Sequence, residues 1–155
     1  MTKRTRAAPP AYDEFVFRVR DASTSYAFGL SHDRRTDDAF DEDVSVTFLA
    51  ECIYPDRYKG RIASVRLGEG PDLKTLNSRR SEPPQPNVGF VHVTPSRFEV
   101  WSNLPGRACW QIADAIANHT ITSMLSNGPA LVRGKAHLTS ISFHGPDFDP
   151  VQYAG

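Results

Sequence analysis

Residues 14–32, EFVFRVRDASTSYAFGLSH, decide how the fold is read. Phe15, Phe17 and Val19 alternate with Val16, Arg18 and Arg20, the period-two signature of a strand with one dry face. Tyr26, Phe28 and Leu30 repeat the alternation against Ala27, Gly29 and Ser31. The short link Asp21-Ala22-Ser23 between the two runs predicts a hairpin.

The same periodicity extends outward along the chain. In VSVTFLAECIY, residues 44–54, Val44, Val46, Phe48, Ala50 and Cys52 share one face while Leu49 and Ile53 occupy the other. That is the pattern of a central strand covered on both sides. PDRYKG, residues 55–60, supplies turn residues, and RIASVRLGEG, residues 61–70, reads as the hairpin partner. NVGFVHVT and RFEVWS are two short strands around Thr94-Pro95-Ser96. TITSMLS, residues 120–126, is β-branched and reads as a strand, followed by an Asn127-Gly128 turn signal. ALVRGKAHLTSISFH, residues 130–144, reads as a long last strand bent or bulged at Gly134.

The period changes once. Cys109, Ile112, Ala113 and Ile116 recur at helical spacing, which predicts a helix over about 105–118, capped by Asn103 with Pro105 in its first turn. The expected class is therefore α+β and mostly antiparallel β. About eight strands form a sheet, partial barrel or sandwich, and one helix packs on a face.

The length of 155 residues fits one domain, and 39% hydrophobic residues suffice for its core. Residues 1–11 read as a flexible basic tail broken by Pro9 and Pro10, residues 12–145 as the domain, and residues 146–155 as a C-terminal tail. Residues 69–87 read as a long loop carrying Arg79, Arg80 and the polyproline-favouring Glu82-Pro83-Pro84-Gln85-Pro86, a place for a partner to dock. Arg far outnumbers Lys, which occurs only at positions 3, 59, 74 and 135; this usage suggests a bacterial genome rich in GC. No apolar run follows the basic N-terminus and none approaches a membrane span, so a cytoplasmic protein without a membrane partner is expected. Cys52 and Cys109 lie inside apolar patterns and read as buried free thiols.

Chemistry is sparsely signalled. The acidic run HDRRTDDAFDEDVSV, residues 32–46, fails the calcium-loop register, because Asp38 stands where Gly is needed and Val44 where Glu is needed. It reads as a solvated connection partly neutralised by Arg34 and Arg35, with Asp37, Asp41 and Asp43 as a looser alternative set. The five histidines show no close metal-ligand spacing. His32 and His144 each end a strand; if those ends met, His32, His144, Asp147 and Asp149 could form a His/carboxylate catalytic site. No nucleophile elbow and no phosphate-binding glycine loop occurs.

Arg57-Tyr58-Lys59-Gly60-Arg61, Arg133-Gly134-Lys135 and the basic tail could make a nucleic-acid patch, although eighteen basic residues balance eighteen acidic ones and supply no global attraction. Trp101 and Trp110 flank the helix start as candidate partner anchors, beside Arg79 and Arg80. The expected function is non-enzymatic: a protein that binds another protein, with no cofactor and no metal. A metal-assisted hydrolase built on the histidine and carboxylate set is the alternative, and a nucleic-acid-binding module the third reading.

Overall fold

The longest element is a strand in which the sequence suggested two. In the computed structural model, which describes residues 12–30, 39–79 and 88–154, β1 runs unbroken over Tyr12–Leu30. It pairs antiparallel with β2, Phe40–Tyr54. Between Val19 and Ala22 the register shifts by one residue, so Asp21-Ala22-Ser23 contains a bulge and not a hairpin turn. The inward residues change from odd to even numbers across this point, and a bulge and a turn both produce that change of parity. A second shift, between Val16 and Phe17, leaves Ile53 as the extra residue on β2.

The remaining strands are β3 (Ile62–Gly70), β4 (Gly89–Val93), β5 (Phe98–Pro105), β6 (Ser123–Pro129), β7 (Lys135–Leu138) and β8 (Ser140–His144). They form one mixed, mostly antiparallel sheet in the order β7-β4-β5-β3-β2-β1-β6-β8; β3 and β5 are its parallel pair. The two end strands are separated in sequence by Thr139 alone, so one bent segment of chain supplies both edges and rolls the sheet closed. Thr139 fastens the seam: its amide donates to the Asn127 carbonyl at 2.7 Å and its hydroxyl to the same oxygen at 3.1 Å.

This closure explains Asn127-Gly128, which lies inside β6 and not in a turn. A Cβ at Gly128 would come within 2.6 Å of the His137 carbonyl oxygen, so glycine allows β7 to approach. Gly134 is likewise not a bend within a strand. It follows Arg133 in a tight turn, both at positive φ, closed by hydrogen bonds between Val132 and Lys135.

Alternation fills the interior. Phe15 and Phe17, Val44 to Cys52 on even numbers, Ala63, Val65, Leu67, Val91, Phe98, Val100 and Met124 form one buried cluster. Helix α2 (Ala108–Ala117) presses Cys109, Ala113 and Ile116 into it, as the helical spacing predicted. The helix starts later than expected. Asn103 and Pro105 stay in β5, held extended by parallel pairing with β3 through Gly70, and Arg107 takes the N-cap position without a side-chain bond.

Two segments read as irregular are helical. Within 69–87, β3 continues to Gly70 and α1 spans Leu73–Ser78; its N-cap Asp72 accepts from the Thr75 amide at 2.8 Å. In the C-terminal tail, α3 (Pro150–Ala154) and Phe148 cover a second cluster of Val16, Ile53 and Leu125 on the outside of the sheet. Ile53 is thus covered as expected of a central strand, whereas Leu49 on the same strand stays exposed. Both cysteines are free and buried. Among the described residues no helix is long and apolar enough to cross a membrane.

Candidate functional site

The outward residues of the sheet carry the chemistry. On β4, Val91 and Val93 turn inward, so Phe90 and His92 face out. On β5, Phe98, Val100 and Ser102 are buried, which places Glu99 and Trp101 outside. The strand registers then set one cross-strand row: His137 opposite Phe90, Phe90 opposite Trp101, Trp101 opposite Arg66, and Arg66 opposite Thr47. Four flat, delocalised groups stand side by side on neighbouring strands.

The geometry within the row is close. The rings of Phe90 and Trp101 lie 5.6 Å apart and 19° from parallel. The Arg66 guanidinium carbon sits 5.0 Å from the Trp101 ring centre, a cation–π distance. Phe90 and Trp101 remain 36% and 40% exposed although both are large and apolar. The adjoining row runs Lys135, His92, Glu99, Ser64. There Glu99 lies 3.9 Å from both His92 Nδ1 and Arg97 Nε, so it offsets part of the local positive charge. Apart from Arg66, Thr47 and Ser64, these residues bound an open cleft of about 600 Å³.

A second depression of about 720 Å³ lies between α1 and the sheet, lined by Leu73, Leu76, Val88, Leu104 and Ile141. Arg79, the α1 C-cap, stands at its edge; Arg80 lies outside the described residues. Trp110 packs half-buried against the core, its ring 6.2 Å from that of Tyr26.

The predicted His/carboxylate set does not assemble among the described residues. His144 stacks on Phe148 at 4.5 Å and its Nε2 hydrogen-bonds with the Ser142 hydroxyl at 2.9 Å. Asp149 accepts from the amides of Val151 and Gln152, which begin α3. Asp147 makes no ion pair there, and His32 lies outside the described residues. No group of three His, Cys, Asp or Glu able to hold a metal occurs among the described residues. The acidic run is divided: Asp33, Asp37 and Asp38 lie outside them, while Asp41, Glu42 and Asp43 belong to β2, a paired strand and not a loop.

The basic turn is committed to structure. Tyr58 packs against Phe15 and Phe98, Arg57 bonds Asp13 at 2.7 Å, and Arg61 donates to the Thr94 carbonyl at 2.6 Å. Sequence reasoning found Trp101 but missed Phe90, Arg66 and His137. The available signal was phase: in GFVHV and FEVWS, Phe90 and Trp101 are out of step with the valines that fill the core. Compared with protein-family models, curated proteins and solved structures, the chain finds no match.

Proposed function

We propose that the protein is a non-enzymatic binding module that holds another protein on the outer face of β7, β4, β5 and β3. The row His137–Phe90–Trp101–Arg66 carries this reading. Exposed tryptophan and arginine beside an apolar ring form the composition that dominates binding energy at protein interfaces. Rigid strands preorganise these groups, so little conformational entropy is lost on docking. The partner offers a flat apolar or proline side chain to the rings and a carboxylate to Arg66 or Lys135. A polyanion fits less well, because Glu99 offsets the local cations and the chain has no net charge. Two free buried thiols suit a reducing compartment, and we place the protein in the cytoplasm on that ground.

The test is selection of displayed random peptides on the native chain, followed by titration of the winners. Trp101→Ala and Arg66→Ala should each weaken them by at least about tenfold, the scale of an interface anchor. Peptides that bind Trp101→Ala as tightly as the native chain would move the site elsewhere. If peptides fail and a labelled oligothymidine binds with Trp101-dependent affinity, the face belongs to single-stranded nucleic acid.

A further inference from the structure

β1 and β2 outgrow the sheet that holds them. β6 pairs with β1 only over Tyr12–Arg18, and β3 pairs with β2 only over Ser45–Glu51. Beyond those limits Tyr26–Leu30 and Phe40–Val44 form a two-stranded ribbon, and the outer edge of β1 from Ala22 to Leu30 has no strand beside it among the described residues. One face of the ribbon bears Tyr26, Phe28, Leu30 and Phe40, between 54% and 66% exposed, with the rings of Phe28 and Phe40 stacked at 5.4 Å. Two strands alone are marginally stable in water, whereas three or more with an apolar face hold.

The two edges of the ribbon differ in charge. On the β2 side stand Glu42 and Asp43, and edge charges of this kind discourage strand pairing. From Ala22 to Leu30 the β1 side carries no charged residue, no proline and no bulge, since the irregularity ends at Ala22. This edge lacks the usual protection against addition of a strand. We propose that it pairs antiparallel with the same edge of a second copy, about a two-fold axis through Tyr26.

That register is self-complementary. Tyr26 faces Tyr26 of the second copy, Thr24 faces Phe28 and Ala22 faces Leu30, so Tyr26, Phe28, Leu30 and Phe40 of both copies stay on one face of a four-stranded sheet, with Glu42 among them. Charge favours this edge over the other. Pairing through β1 keeps the two acidic strands three strand spacings apart, about 14 Å, beyond the screening length of about 8 Å at physiological salt. Pairing through β2 would set the acids of the two copies directly against each other.

The experiment is sedimentation of the full chain with cysteine cross-linking. The native protein should sediment at twice its 17.2 kDa mass, and Ala27→Lys, at an exposed ribbon position, should return it to monomer with an unchanged melting temperature. Under mild oxidation Tyr26→Cys should cross-link two chains, whereas Ala22→Cys, which faces Leu30 in this register, should not; Cys52 and Cys109 are buried and do not compete. A native monomer at every concentration overturns the proposal. So does a dimer that Ala27→Lys leaves intact, or one that cross-links through Ala22→Cys and not through Tyr26→Cys.

Discussion

Phe90 and Trp101 stand opposite each other on β4 and β5, rings 5.6 Å apart, while the next residues on each strand, Val91 and Val100, are buried in the core. The pair adds little to that core. Trp101→Ala should therefore lose about 0.5–1.5 kcal/mol from the ring pair, in addition to what its partial burial contributes. Leu67→Ala, at a fully buried position on β3, should cost about 2–5 kcal/mol. Urea unfolding of both variants checks this; equal costs would make the indole a structural residue.

Burial pushes the Cys52 thiol up from 9.0 to about 12, against smaller opposing effects of a backbone hydrogen bond at Tyr54 and of Arg61. Burial raises the Cys109 thiol too, with Glu69 adding to the rise. A thiol raised on folding contributes stability that is complete below its unfolded value and is lost as pH climbs through the folded one. For Cys52 that window runs from pH 9 to about 12. The melting temperature of the native chain should fall more steeply there than that of Cys52→Ala. Aromatic disulfide reagent at pH 8 should find almost no thiol in the folded protein and two after denaturation. Absence of free thiol under denaturing, non-reducing conditions would mean a disulfide.

Gly134 has φ +78°, and a Cβ there would collide with the Val93 carbonyl oxygen. The same oxygen's residue accepts no relief from the turn, because the Val93 amide donates to the Gly134 carbonyl at 2.7 Å and fixes the distance. Gly134→Ala should cost about 1–3 kcal/mol through backbone strain alone, with the clash in addition. A neutral result in thermal melts would show that the β7 turn can open without penalty.

Helix α1 has six residues, none of them buried, and its one side-chain cap is Asp72. So short a helix is marginal, and Arg79 at its end is exposed. Trypsin should cut first at Arg79 or Arg80. Asp72→Ala removes a cap worth about 1 kcal/mol and should speed that cut several-fold. A first cut at Arg66 or Arg97 instead would show that α1 is better protected than the sheet.

The acidic run should hold no structural metal. Melting curves with calcium, with magnesium and with EDTA should overlay, since an ion bound only to the folded chain must raise the midpoint.

Much of this architecture was readable in the sequence because strand alternation is a local property. Side chains on a strand point to opposite sides whatever lies next to it. The valines and phenylalanines of β2, β3, β4 and β5 thus declared their inward face before any partner was known, and Cys109, Ala113 and Ile116 did the same for α2. Alternation also held the clue to the outer row, in the contrary phase of Phe90 and Trp101.

Tertiary structure decided whatever depended on a neighbour from elsewhere in the chain. A change of parity near Asp21 is equally the mark of a turn or a bulge; only β2, long enough to pair on both sides of it, makes it a bulge. Asn127-Gly128 carries the residues of a turn, yet the approach of His137 on β7 is what calls for the glycine. His144 and Asp149 lie five residues apart in the sequence, and packing gives them an aromatic ring and a helix start to serve. Phe90, Trp101 and Arg66 share a row because β4, β5 and β3 are adjacent in that register, a long-range pairing that alternation within any one strand does not encode.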